Sequence, residues 1–169
     1  MVTEFLATRT FLNPEELQPP LEDPKFQAEE SNMFDARNYY VQGVTFNVTT
    51  SQQLSIAICK MQGLTNDLKR ASKTCIARSR EYERALGVQI IMLAPIAPHF
   101  ASELWSGFCK APHRMVNDGE FNWEKDVLEQ RWPEIDMEYK LKLKVRVSCI
   151  IGCLKMLNNK NITTINKLL

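Results

Sequence analysis

Leu93-Ala-Pro-Ile-Ala-Pro-His-Phe-Ala-Ser-Glu-Leu-Trp105 decides the fold of this chain. Pro95 and Pro98 stand three apart in a run that otherwise has helical pattern. Each removes a backbone donor and presses on the carbonyl one turn back, at about 3 kcal/mol in an ordinary helix interior. Ile96, Phe100, Leu104 and Phe108 recur every four residues, with Leu93, Ala97, Ala101 and Trp105 on the adjoining stripe. That spacing predicts one bent, deeply packed helix from near Ser79 to about Cys109. Glu81 and Glu83 suit its positive end. His99, with Glu103 four residues on, reads as a structural histidine satisfied at the bend. Trp105 reads as a core anchor.

Working outward, the segment before it has the cleanest period in the chain. Leu54, Ala57, Ile58, Met61, Leu64 and Leu68 define one helix face, and Thr50 with Gln53 fits a capping box at its start. Gly63 is a mild internal cost. An earlier helix is expected from about Glu30 to Phe46, with Met33, Ala36, Tyr40 and Val44 inward. Asn13 to Pro24 holds four prolines among acids and reads as an extended connector. From Ala111 to Asp136 an irregular stretch is expected to wrap the helices, anchored by Trp123 and Trp132. Lys140 to Val147 alternates basic and apolar residues, the period of a strand. A strand without a partner is marginal. The expected fold is therefore mainly α, an antiparallel helix bundle with a short, incomplete β element at the C-terminus. Its divisions are a partial helix and acidic linker (1–28), a helical domain (29–137), and an altered start of a small α/β domain (138–169).

The 169 residues suffice for a real core, and no apolar run reaches a membrane span. No membrane partner is expected. The net charge of +1 hides an asymmetry: residues 1–35 carry −6 and the rest +7. A basic body is compatible with nucleic-acid binding. Five cysteines, odd in number and without a C-x-x-C pair, argue against a zinc site or a disulfide framework and for a reducing compartment. Cys59 and Cys109 are expected as buried free thiols.

The proline-rich stretch also carries a resemblance. Ala97-Pro98-His99 followed by Glu103-Leu104-Trp105 is similar to the signature in the helical anticodon-binding domain of class I aminoacyl-tRNA synthetases, and resembles the bacterial and mitochondrial leucyl enzymes. Ile56 to Asn66 resembles the second helix of that domain, and Trp132-Pro133 with Asp136 resembles its exit. Val2 to Arg9 looks like the tail of a helix. The match runs from Tyr39 to Val147; the family continues with a turn and a basic hairpin, where this chain has another sequence. The resemblance implies a tRNA-binding helical domain of a leucine–tRNA ligase, with leucine-acceptor tRNA as partner, no DNA, and a mitochondrial setting. The first residues do not read as a secretory signal or as a mitochondrial presequence, so no targeting segment is expected in this stretch.

No catalytic residues stand out. The family's ATP signatures, H-I-G-H and K-M-S-K-S, are absent, and Lys60-Met61-Gln62-Gly63 lies inside a periodic helix and lacks the serine and second lysine of the latter. ATP and magnesium belong to the parent enzyme; this chain calls for no cofactor and no metal, and alone should not activate leucine. Its candidate tRNA-binding residues are Lys69, Arg70, Lys73, Arg78, Arg80 and Arg84, a cluster able to neutralise phosphates without reading bases. The cationic side of the expected strand (Lys140, Lys142, Lys144, Arg146) joins them. Pro95, Pro98, His99, Glu103, Trp105, Trp132 and Pro133 are the structural motif. The rival reading is a protein–protein module, or an inactive fragment, docking through exposed apolar surface left by a missing catalytic portion.

Overall fold

The computed structural model describes residues 1–11, 19–20, 23–116 and 119–148. Its elements are α1 (Val2–Thr10), α2 (Pro24–Thr49), α3 (Leu54–Arg70), α4 (Lys73–Arg78), α5 (Arg80–Leu93) and α6 (Pro98–Cys109), a 3₁₀ turn at Val127–Glu129, and a helix α7 at 137–148. The chain divides into two compact units, Met1–Glu134 and Ile135–Leu169. Among the described residues no helix is long and apolar enough to cross a membrane.

In the first unit α2, α3 and α5 pack on one another, α6 returns along α5, and α1 lies on α4 and α6. α5 is the central helix. Every residue from Ala85 to Met92 is buried, which suits a segment apolar nearly all round. α3 buries Ala57, Met61, Leu64 and Leu68, the stripe expected from its period, while Leu54 and Ile58 are exposed. Two glycines let α2 and α3 approach closely. A Cβ at Gly63 would lie 2.5 Å from Tyr40 Cε1, and one at Gly43 would lie 3.3 Å from Lys60 Cδ. Each helix thus yields space to a long side chain of the other, which accounts for a glycine inside an otherwise regular α3.

Several expectations need correction. The earlier helix starts at Pro24, with Asp23 as its N-cap accepting from the Lys25 N–H at 2.9 Å. Proline fits there because that position needs no N–H. Thr50 is the C-cap of α2, so no capping box opens α3. Ser79 does cap α5, accepting from the Tyr82 N–H at 2.8 Å, but a separate short helix, α4, precedes it. The single bent helix is two helices. Ala97, kept out of the helical region by the following proline, has φ −137° and ψ 70°, and Pro98 opens α6. Tight turns carry the chain across the break, with the Ala94 N–H bonded to Ile91 O at 3.1 Å and the Ile96 N–H to Leu93 O at 3.0 Å. The break turns Ile96 and Phe100 outward, so the expected stripe is buried only at its far end, at Phe108.

Residues 111–116 and 119–134 wrap the α5–α6 end. Trp123 stacks on Trp105 with centroids 5.9 Å apart and planes 12° apart, and Phe121 meets Trp105 edge-on at 5.7 Å. The Trp105 indole N–H donates to Lys125 O at 2.9 Å, so this anchor is both buried and satisfied.

In the second unit the expected strand at Lys140 to Val147 is helical instead. A period of two on a helix advances about 200° per step, so like residues fall into separate stripes. Lys140 and Lys144 share one side, Lys142 and Arg146 the other. Lys142 pairs with Glu138 at 3.3 Å, one turn back. With no β-pairing partner among the described residues, local i to i+4 bonding supplies what a ladder would have. Residues 12–18, 21–22, 117–118 and 149–169, which include most of the expected connector, Cys149, Cys153 and the turn at Asn158 to Asn161, lie outside the described residues.

Candidate nucleic-acid interface

The basic cluster sits where α3 ends and α4 begins. Lys69 and Arg70 occupy the last turn of α3, where cations complement the exposed carbonyls. Ser72 caps α4 by accepting from the Cys75 N–H at 3.2 Å, and its hydroxyl donates to Glu29 Oε2 at 2.5 Å. This clasp to α2 fixes the short connection and holds Lys73 on the outside. Lys69, Arg70, Lys73 and Arg80 are exposed, and Arg78 is half-buried. Arg70 reaches Asp67 at 3.8 Å while remaining 81% exposed, a loose surface pair.

Arg84 does not belong with them. It is 14% exposed, donates to Glu81 at 2.7 Å and to Glu120 at 2.5 Å, and so turns inward to tie α5 to the wrapping segment. Glu81 also accepts from Arg37 at 3.1 Å. Such a network holds helices in register and commits the Arg84 guanidinium to two carboxylates. The two arginines at the α5 start therefore differ in burial: Arg80 is exposed, and Arg84, one turn on, is turned inward onto two acids.

A second ion pair, invisible in the linear pattern, lies beneath. Arg9 and Glu83 are 0% and 1% exposed and 3.2 Å apart. Arg9 also donates to His113 O at 2.7 Å, and Glu83 accepts from the Met115 N–H at 3.1 Å. Burial pushes the Glu83 carboxyl above its ordinary range, against the opposing pull of Arg9 and the backbone N–H groups. This pair fastens α1 to the bundle and to the turn at His113, whose φ is +55°.

His99 and Glu103 are both exposed on α6, and among the described residues neither is joined to the other. His99 is therefore a surface residue rather than one satisfied at a bend. Pro95 and Pro98 line the exposed break; Trp105 is buried; Trp132 is half-buried, with its indole N–H donating to Thr45 Oγ1 at 2.8 Å, and Pro133 follows it half-buried. The four α7 cations stand on two sides of one helix and present no continuous charged ridge. Among the described residues Cys59 is exposed rather than buried, Cys109 is intermediate, and Cys75 is buried.

One feature escaped the sequence reading. On the outer side of α2 and α3, Lys60 Nζ donates to the Tyr39 hydroxyl at 2.5 Å and lies 4.3 Å from that ring's centroid. Tyr39 is 48% exposed, and Phe46, two turns along the same face, is 54% exposed. The exposed spacing Tyr39–Phe46 was the available signal, overshadowed by the inward series through Tyr40.

Comparison with known proteins follows the same lines. The family model described as "Anticodon-binding domain of tRNA ligase" matches residues 35–168. A probable mitochondrial leucine–tRNA ligase of Pongo abelii is 33% identical over 139 residues, 82% of this chain and 15% of its own length. Its counterpart in Mus musculus is 30% identical over 142 residues, 84% of this chain and 15% of its own. A leucine–tRNA ligase of Nostoc sp. is 27% identical over 136 residues, covering 80% and 13%. The chain thus spans about 15% of the length of the curated relatives it matches. No solved structure gives a significant match.

Proposed function

Since this chain belongs to the family of anticodon-binding domains of tRNA ligases, we propose that it docks tRNA, by relatedness a leucine acceptor, through the sugar–phosphate backbone. The observation that carries this reading is the exposed cation cluster at the α3–α4 junction, held outward by the Ser72 cap. Lys69, Arg70, Lys73, Arg78 and Arg80 neutralise phosphates, and the α2–α3–α5 bundle is the rigid base. Arg84 serves the fold. The α7 cations are left out, because helical spacing splits them between two sides.

The parent activity, on this reading, is ATP- and magnesium-dependent attachment of leucine to tRNA in mitochondria, as the names of the mammalian relatives suggest. No residue of this chain is assigned to that chemistry. The proposed role is confined to holding the nucleic acid.

Salt dependence is the test. Replacing Lys69, Arg70 and Lys73 together with alanine should weaken binding of a leucine tRNA transcript. It should also lower the slope of log K against log salt by roughly 2 to 3, the counterions three phosphate contacts release. Arg84→Ala should instead lower stability. An unchanged slope in the triple variant would remove the assignment.

A second reading rests on one observation. A groove of about 480 Å³ between α3, α5 and α6 is lined by Met61, Leu86, Ile90, Leu93, Phe100 and Leu104 without any charged side chain. A protein contact there would change little with salt, which separates it from tRNA docking.

A further inference from the structure

The α2–α3 outer face carries a second contact of a different kind, and the inference rests on the tRNA reading above. We propose that Tyr39, Lys60 and Phe46 form a stacking site for unpaired nucleotides, distinct from the backbone cluster at the α3–α4 junction. Three observations converge on it.

The first is aromatic exposure. Phe46 and Tyr39 are 54% and 48% exposed, although large apolar side chains on α2 have a core available. They lie seven residues apart, so they share a face about two helical turns, roughly 10 Å, in length. That separation lets each ring meet a different base of an extended strand.

The second is a cation held over one of them, its stem crossing α2 between the two positions. Lys60 comes from α3, and its aliphatic stem crosses Gly43, which lies between Tyr39 and Phe46 on α2. The stem carbons Cγ, Cδ and Cε would stand 3.5, 3.3 and 3.4 Å from a Cβ at that position. Glycine leaves the slot in which the stem rests, and the Tyr39 hydroxyl accepts from the ammonium. A lysine so held has less freedom to lose to a ligand than one waving in solvent, and its remaining N–H donors suit a phosphate between two stacked bases.

The third is support for the platform. Tyr39 packs edge-on against Tyr40 with centroids 5.1 Å apart, and Tyr40 is seated over Gly63. The ring is thus held at its edge by Tyr40 and carries the Lys60 ammonium over it, while Tyr39 remains 48% exposed.

Rings plus a fixed cation fit single-stranded nucleic acid, in which every base offers a π-face and the backbone offers charge. A duplex, with its bases stacked inside, can use the cation but not the rings. The face therefore takes a loop or an unpaired end, while the α3–α4 cluster takes backbone of either form.

The test uses the full 169-residue chain and three probes: a short single-stranded oligoribonucleotide containing 2-aminopurine, a blunt RNA duplex, and a tRNA transcript. Phe46→Ala and Tyr39→Ala should each weaken single-strand binding about tenfold and reduce the quenching of 2-aminopurine, leaving duplex affinity within about twofold. Phe46→Trp should restore stacking. Gly43→Ala should displace the Lys60 stem and weaken the same probe. Circular dichroism of Phe46→Ala should match the parent, because the ring is exposed. Single-strand affinity unchanged in both alanine variants would overturn the inference, as would loss of a self-association by Phe46→Ala in sedimentation without any effect on RNA. The Lys69, Arg70 and Lys73 replacement reads separately on the duplex and the tRNA, so the backbone site can survive the loss of the stacking site and the reverse.

Discussion

Consider replacing Arg9 with methionine. Its guanidinium is fully buried, lies 4.9 Å from the Phe5 ring centroid, and donates to Glu83 and to His113 O. Methionine preserves most of the stem's packing and removes the charge. Glu83 is then a buried carboxyl whose strongest partner is gone, with backbone N–H groups as its remaining donors. Breaking a buried pair from one side costs about 3–5 kcal/mol, a large part of the roughly 5–15 kcal/mol that ordinarily holds a domain. At a urea slope of about 2 kcal/mol per molar the unfolding midpoint should fall by roughly 2 M. Glu83→Leu should cost a similar amount, since it strands the guanidinium instead. The double variant, Arg9→Met with Glu83→Leu, should be more stable than either single one, because apolar substitutes of similar volume remove both desolvation costs. The cycle yields the coupling directly. Single variants that each cost under about 1 kcal/mol and add without coupling would refute the reasoning: α1 would not be clamped to α5 through this pair.

Other outcomes follow from the same packing. Gly87→Ala should destabilise the chain by about 1–3 kcal/mol despite alanine's helix preference, because its Cβ would lie 2.6 Å from the Phe121 ring and 3.1 Å from the Phe108 ring; thermal unfolding checks this. Alkylation at about pH 8 followed by peptide mapping should label Cys59 rapidly and Cys75 only upon unfolding, since one thiol is exposed and the other buried. Burial pushes the Cys75 thiol up from 9.0 to about 11. The unfolded chain therefore loses that proton first, so stability falls as pH rises from about 9 towards 11, and Cys75→Ala should remove this part of the alkaline decline.

Much of the bundle was legible from period alone. Ala57, Met61, Leu64 and Leu68 turn inward because a 3.6-residue repeat of apolar side chains can be buried on one side only. Ser79 is legible as a cap because its hydroxyl can take an orphan N–H. The family resemblance, carried by the proline stretch and the W-P-x-x-D exit, required no coordinates. The basic cluster was also visible as composition between Lys69 and Arg84, but its membership was not. Arg80 and Arg84 are equivalent in a list of cations, and only the fold brings Glu81 and Glu120 onto Arg84.

Three further matters belonged to tertiary structure. Whether Pro95 and Pro98 bend one helix or separate two depends on how the halves pack, and the non-helical Ala97 resolves it in favour of a break. Whether Lys140 to Val147 forms a strand depends on a neighbour to pair with, since alternation describes a surface and not a backbone; here it coils. The Arg9–Glu83 pair joins residues 74 apart, and the Lys60–Tyr39 contact joins residues 21 apart on two helices. Local chemistry determined where most helices form and which side of α3 seeks the interior. Charge placement across the molecule was decided by the packing, because an ion's partner is whatever the fold sets within a few ångströms, and the order of residues along a chain carries no record of that distance.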